Sequence, residues 1–342
     1  METNWTELGF AYHPTKYNVR CTYKNGEWGN LRMQRKKTIN LHIASTVLHY
    51  SQTAFEGLKA FRGIDGQVRI FRIEENAKRM QSSCRGIRMP QLPIDKFKEA
   101  VMYVVKLNEK YIPPYSSGAS LYIRPVIFGT SAMVGVKPSE EYELVIFVTP
   151  VGPYFKGGFV QTTPFMLSRE YDRAAPCGTG NIKIGANYAM GIAAGEKAHK
   201  LGYSQAFYLD SKEKKYIEEC GAANFFGIKG NSYITPKSDS VLPSITNASL
   251  AKIAEHLGMT VEKRPIALEE LEEFEEAGAC GTAAVISPIS KIVDVDTKKE
   301  YIFSKDGFPG EKSKKLYDYL RGIQYGEIED KFGWNTIVEF DL

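Results

Sequence analysis

The chain switches repeatedly between short runs of β-branched and aromatic residues and longer stretches whose apolar positions recur every three to four residues. It carries no internal repeat. That alternation predicts a mixed α and β fold (α+β) rather than a solenoid or a sandwich. Val68-Arg-Ile-Phe71 reads as a strand. Residues 74–80 follow with helical propensity, and 95–105 place apolar residues at helical spacing behind a candidate cap, Asp95. Both helices are expected to pack on a sheet that includes 119–124 and 142–148.

Pro150-Val-Gly-Pro-Tyr-Phe-Lys-Gly-Gly158 concentrates prolines and glycines, the composition of a connection rather than of an element interior. A domain boundary is placed there, giving a smaller N-terminal domain at 1–150, a linker at 151–163 and a larger C-terminal domain at 164–342. The second half is expected to hold a helix at 187–199 and a strand at 205–209. Strands at 216–218 and 224–228 follow, with Gly230-Asn231 as the turn before 233–235. A helix opens within 242–249 and ends at Leu257-Gly258. A last amphipathic helix lies around 316–320, behind the basic run Lys312-Ser-Lys-Lys315.

Candidate chemistry is concentrated in Gly178-Thr-Gly-Asn-Ile-Lys183-Ile-Gly-Ala-Asn-Tyr188, one lysine among small residues with a tyrosine five positions later. A lysine that forms an imine with an aldehyde cofactor needs close backbone approach, partial desolvation and a proton partner. On its own, the segment reads first as a surface loop before a helix. Leu242-Pro-Ser-Ile-Thr-Asn-Ala-Ser249 is a plausible phosphate seat or an ordinary capped helix start. Gly278-Ala-Cys-Gly-Thr-Ala-Ala-Val-Ile-Ser287 is either a tight turn into a buried strand or a second place where amides approach a ligand.

With 342 residues, 43% hydrophobic and 25% charged, the composition is that of a globular protein of one large or two medium domains. The net charge of +4 is too small to indicate nucleic acid, and Arg35-Lys-Lys37 is expected to be solvated. The N-terminus has neither a basic nor an apolar leader region, and no apolar run reaches the length of a membrane span. The expected location is the cytoplasm, with no membrane partner. Five cysteines at 21, 84, 177, 220 and 280 lack CxxC spacing, so reduced and mostly buried thiols are expected rather than disulfides or a metal site.

The chain resembles the branched-chain amino-acid aminotransferases, fold-type IV enzymes dependent on pyridoxal 5′-phosphate, in the subgroup that includes the eukaryotic members. The resemblance runs almost end to end. It is carried by Leu48-His-Tyr-Ser51, Phe55-Glu-Gly-Leu-Lys-Ala-Phe-Arg-Gly63, Lys78-Arg-Met80, Ser120-Leu-Tyr-Ile-Arg-Pro125, Pro150-Val-Gly-Pro-Tyr-Phe155, Gly178 to Tyr188, Glu219-Cys-Gly221, Leu242-Pro-Ser-Ile-Thr246, Gly281-Thr282 and Ile323-Gln-Tyr-Gly326. It implies a two-domain fold with the cofactor between the domains. Lys183 would hold the cofactor and shuttle a proton, Glu219 would face the pyridine nitrogen, and Tyr188 would hydrogen-bond the phenolate oxygen. Arg79, the amides of Ile245 and Thr246, and Thr282 would bind the phosphate.

The resemblance further implies that Tyr50, Phe55 and Tyr154 line the apolar part of a substrate pocket, with Phe10 or Tyr12 closing it. Thr282, Ala283 and Tyr122 would hold the α-carboxylate, and Arg124 the γ-carboxylate of glutamate or 2-oxoglutarate. The implied reaction is reversible amino transfer between L-leucine, L-isoleucine or L-valine and 2-oxoglutarate, in a homodimer whose partner subunit adds a loop to the site. Two features depart from relatives. Ala284 and Ser287 stand where the mitochondrial members carry a redox CxxC, and Ala222 stands where those relatives have threonine. D-amino-acid aminotransferases and aminodeoxychorismate lyases share the fold, lysine and glutamate, but Tyr122-Ile-Arg124 and Phe55-Glu-Gly57 favour the branched-chain reading. A non-catalytic cofactor carrier is opposed by the intact lysine, tyrosine and glutamate. A basic-surface nucleic-acid binder is opposed by the near-balanced charge.

Overall fold

The computed structural model describes residues 4–154 and 159–340, so part of the expected linker, including Phe155, lies outside the described residues. The chain divides into two compact units. One comprises 4–154, 182–185 and 322–340, and the other 159–181 and 186–321.

The first unit is built on a sheet from β1 (Asn18–Lys24), β2 (Glu27–Trp28), β3 (Arg32–Gln34), β4 (Thr53–Phe55), β5 (Leu58–Arg62), β6 (Val68–Phe71), β7 (Ser120–Gly129) and β8 (Tyr142–Val151). Its helices are α1 (Thr46–Tyr50), α2 (Ile73–Gly86) and α3 (Ile94–Leu107). The central path runs β6-β5-β7-β8-β1, every neighbour antiparallel. In α3, Phe97, Ala100, Val101, Val104 and Val105 are buried, the three-and-four spacing of one helix face. Likewise α2 buries Ile73, Asn76, Ala77, Met80, Ser83 and Cys84.

Two sequence expectations are corrected here. Asp95 is not a cap: Pro93 holds the cap position with no side-chain bond, and Asp95 sits within the first turn, where its charge still favours the helix start. Pro150 is not in a connection but pairs with Leu121 inside β8. It is tolerated because β1 pairs only with 142–146, which leaves this end of β8 with a neighbour on one side.

The second unit holds β9 (Thr163–Ser168), α4 (Gly185–Lys200), β10 (Gln205–Leu209), β11 (Ile217–Cys220), β12 (Ala223–Lys229), β13 (Ser232–Pro236), α5 (Ile245–His256), β14 (Thr260–Arg264), β15 (Glu276–Gly281), β16 (Val285–Asp294), β17 (Glu300–Ile302) and most of α6 (Glu311–Tyr325). Pairings β12-β11-β10-β9-β16-β15-β12 close on themselves. Side chains alternate across such a ring. Phe165, Leu167, Phe207, Leu209, Phe225, Ala277 and Ala279 share one buried cluster, while Met166, Ala206 and Tyr208, on the other face, pack with Ala194 and Ala198 of α4. Parallel neighbours β9 and β10 require a crossover, which α4 supplies, and α5 does the same for β13 and β14.

The strand expected at 205–209 is observed as β10, and Gly230, at φ +52°, turns the chain between Lys229 and Ser232. The last strand, β18 (Asn335–Val338), pairs with β6 in the first unit, so the chain end does not group with the rest of 164–342. Among the described residues no helix is long and apolar enough to cross a membrane.

Candidate active site

In the first unit, the order Ile182-Lys183-Ile184 decides where the lysine goes. Both isoleucines are buried and the lysine between them is half-buried, the alternation of an extended segment. Ile182 fills the space left by Gly86, where a Cβ would come within 2.8 Å of its Cδ1. The Lys183 amide donates to Ser83 Oγ at 2.9 Å, and its carbonyl accepts from the Phe55 amide at 3.1 Å. Pinned at both ends, Lys183 carries its Nζ 4.9 Å from the centroid of the Phe55 ring.

Phe55 is also the platform for Arg124, whose guanidinium lies 4.8 Å from the same ring and 5.2 Å from that of Tyr122. Arg124 Nη2 donates to Tyr122 Oη at 2.8 Å. Arg124 Nε is buried and has no hydrogen-bond partner among the described residues, a donor awaiting an acceptor. Gly57 is required here, because a Cβ at this position would stand 2.2 Å from the Tyr122 hydroxyl. Phe10 packs edge-on to Tyr122 with centroids 5.1 Å apart, whereas Tyr12 packs on Phe147, so Phe10 is the N-terminal aromatic that reaches this cluster.

Arg79, on α2, meets the carboxylate of Glu56 in a two-pronged contact, Nε and Nη2 each 2.8 Å from one oxygen. Two expected pocket residues of this unit lie elsewhere. Tyr50 is bonded to the Val134 carbonyl beside the exposed side chains of Val134 and Val136, and Tyr154 is half-exposed beyond the end of β8.

In the second unit, Glu219 on β11 is buried. Its Oε1 accepts from Asn224 Nδ2 at 3.0 Å and from the Leu242 amide at 2.7 Å. The neighbouring Glu218 points to the opposite strand face, where burial pushes its carboxyl up and Ser238 Oγ donates to it. The Leu242 bond ties Glu219 to the segment that opens α5. There Ser244 caps the helix by accepting from the Asn247 amide at 3.1 Å, which leaves the amides of Ile245 and Thr246 at the helix start, where an anion is favoured. A cavity of about 240 Å³ beside this helix start shares Asn224 and Leu242 in its wall.

Thr282 and Ala283 form the turn between β15 and β16, closed by the Gly281–Val285 pair. Val285 takes φ +68°, and the Ile286 amide bonds back to the Ala284 carbonyl at 2.9 Å, a strained three-residue turn for a β-branched residue. Tyr188 sits in the first turn of α4. Beside it, Asn187 Nδ2 donates to the Thr179 carbonyl at 2.7 Å and Thr179 Oγ1 donates to Asn187 Oδ1 at 2.6 Å, folding the glycine-rich stretch onto the helix.

Residues 53–292 match amino-transferase class IV. The chain belongs to the class IV aminotransferases. It is 46% identical over 333 residues to a branched-chain-amino-acid aminotransferase of Helicobacter pylori, covering 97% of this chain and 96% of that one. A Haemophilus influenzae protein of the same name is 44% identical over 345 residues, covering 99% of each. A crystal structure of the Escherichia coli branched-chain amino acid aminotransferase superposes with a TM-score of 0.80 at 30% identity, covering 95% of this chain and all of that one.

Sequence reasoning missed three residues of this aminotransferase: Glu56, Arg173 and Asn224. Glu56 stood inside a quoted motif, and a carboxylate within a buried apolar run was a usable signal. Arg173 meets Glu219 only through the folded second unit and no local pattern marks it, whereas Asn224 faces Glu219 directly across the β11–β12 hairpin.

Proposed function

We infer that the protein is a branched-chain-amino-acid aminotransferase that moves an amino group between L-leucine, L-isoleucine or L-valine and 2-oxoglutarate, with pyridoxal 5′-phosphate as cofactor. The observation that carries this reading is the first-unit cluster in which Lys183 and Arg124 stand over the same Phe55 ring. A lysine beside an aromatic wall suits amine chemistry on an apolar substrate, and an arginine with an unpartnered buried N–H suits a second substrate bearing an extra carboxylate.

The donor set fits the cofactor. A phosphate dianion calls for a held cation and free amides, supplied by Arg79 and by the α5 start at Ile245 and Thr246, with Thr282 alongside. A protonated pyridine calls for a buried carboxylate, supplied by Glu219, and a phenolate oxygen for the Tyr188 hydroxyl. When bound, the cofactor supplies the electron sink for the carbanionic stage of amino transfer.

Lys183 Nζ is the base that takes the proton from the substrate α-carbon and returns it in the reverse half-reaction. The Thr282 and Ala283 amides, with Tyr122 Oη, orient the α-carboxylate. Phe55 offers its ring to a branched side chain. Arg124 donates to the γ-carboxylate of glutamate through its unpartnered Nε–H. Leucine and glutamate thus share one pocket by using different parts of the same stack.

Ile43, Val134 and Val136 are each more than four-fifths exposed beside Tyr50, an apolar edge suited to a second copy of the chain and to a homodimer. Free cysteines, most of them buried, agree with a reducing compartment, the cytoplasm.

The test is the visible absorbance of the cofactor-loaded protein. Bleaching by L-leucine and recovery with 2-oxoglutarate establish both half-reactions. A response to D-alanine alone moves the assignment to a D-amino-acid aminotransferase, and a protein that takes up no cofactor ends the reading.

A further inference from the structure

Arg173 lies outside any helix or strand, yet it is 8% exposed, and a buried guanidinium is costly unless its partners are fixed. Its Nε sits 3.3 Å from Glu219 Oε2, close enough to pair charges but off the line of a hydrogen bond. Its Nη2 donates to the Gly180 carbonyl at 3.3 Å and to the Ser240 carbonyl. Gly180 makes this approach possible, because a Cβ there would lie 2.8 Å from Arg173 Nη2 and 2.1 Å from the Ser240 oxygen.

One side chain therefore joins the carboxylate of β11, the glycine-rich stretch that leads to Lys183, and the turn whose next residues open α5. We propose that Arg173 is a positioning residue for the cofactor, holding Glu219 ionised and aimed while it fixes the Gly180 and Ser240 backbone around it. The proposal rests on the reading of Glu219 as the partner of the ring nitrogen.

The electrostatics favour this over a packing role. A buried ion pair does not as a rule stabilise a fold better than apolar side chains of the same volume, so its use lies in the charge it maintains. Among the groups near Glu219 are the thiols of Cys220 and Cys280, both held neutral by burial, while the Glu218 carboxyl, raised by burial, also feels the Arg173 charge. The Tyr208 hydroxyl, also raised by burial, faces Arg173. Without Arg173, Glu219 still accepts from Asn224 and from the Leu242 amide but loses the Arg173 charge in a buried setting, so it takes up a proton at higher pH and ceases to be a counter-ion.

Two measurements on Arg173→Gln test this. Equilibrium dialysis with pyridoxal 5′-phosphate is expected to show binding weakened about tenfold or more. Infrared difference spectra of the apoprotein are expected to show a protonated carboxyl near neutral pH that is absent from the parent and from the Arg173→Gln/Glu219→Gln double variant. Unchanged affinity together with an unchanged carboxyl titration overturns the proposal. A parent protein that fails to bind the cofactor overturns the functional reading instead, while the infrared result still judges Arg173.

If the glutamine variant does not fold, Arg173→Lys decides through a double-mutant cycle. Weakened cofactor binding in the Glu219 background but not in the Glu219→Gln background supports the coupling, and equal weakening in both overturns it.

Discussion

Arg79 and Glu56 form a fork-to-fork ion pair, two bonds of 2.8 Å, in which the carboxylate is wholly buried and the arginine nearly so. The Glu56 amide is itself held by the Pro125 carbonyl, and its Oε2 accepts from the Gly57 amide at 3.3 Å, so the carboxylate is fixed before any ligand arrives. Removing one partner of such a pair leaves an uncompensated buried charge. Glu56→Gln is expected to lower stability by about 3 kcal/mol and to weaken pyridoxal 5′-phosphate binding, because Arg79 is no longer aimed. Urea denaturation at pH 7 and equilibrium dialysis measure the two effects, and a change under about 0.5 kcal/mol contradicts the first.

Arg124 offers a sharper division. If Arg124 holds the γ-carboxylate, its charge serves a dicarboxylate and does nothing for leucine, whose side chain would meet the Phe55 ring on which Arg124 stands. A hydrogen-bonded contact to a charged group contributes roughly 1.5–3 kcal/mol, so Arg124→Met is expected to cut kcat/KM for 2-oxoglutarate about 10- to 150-fold. The half-reaction with L-leucine should fall less than about fivefold on the same scale. Single-turnover absorbance measured separately for each substrate tests this, and equal losses in both directions remove Arg124 from the γ-carboxylate role.

What the sequence made legible was local. The 205–209 strand, the glycine turn at 230 and the small-residue run around Lys183 declare themselves through periodicity and backbone freedom, both written within a few residues. Arg173 and Glu219, by contrast, are joined by the folding of the second unit, and Glu56 finds Arg79 across an intervening strand hairpin. Val285 runs against its own propensity. A β-branched residue at φ +68° reads as improbable from sequence, and it is held there by burial and by the closing pair with Gly281. Pro150 misled for a related reason, since its meaning depends on which edge of β8 lacks a neighbour.

Acid should reveal a second ion pair. Asp65 receives two bonds from Arg69, at 2.8 and 2.6 Å, which hold its carboxyl down at about 2, against an ordinary value of 3.8. A carboxyl depressed by folding stabilises the protein above the unfolded value and loses that contribution as pH falls toward the folded value. The pair therefore contributes at pH 7 and fades between about pH 4 and 2. Because the Asp65 side chain is 44% exposed, screening keeps the effect below about 1 kcal/mol. Asp65→Asn should lower Tm slightly at pH 7 and leave it unchanged near pH 2. A constant difference across that range contradicts the assignment.

The cysteines should separate by burial. Burial pushes the Cys84 thiol up to about 12 and raises those of Cys21, Cys220 and Cys280, while Cys177 is exposed. Thiolate is the reactive form, so the four buried thiols are protected twice, by access and by protonation. Native protein treated with a thiol-specific disulfide reagent at pH 8 should release about one equivalent rapidly and the remaining four only in denaturant. Cys177→Ser should abolish the rapid phase. Cys177 stands immediately before the glycine-rich stretch that leads to Lys183, so its modification also reports on that stretch. If pyridoxal 5′-phosphate orders it, adding the cofactor should slow the rapid phase, and an equal rate with and without cofactor would show that the loop is already set by Arg173 and Asn187.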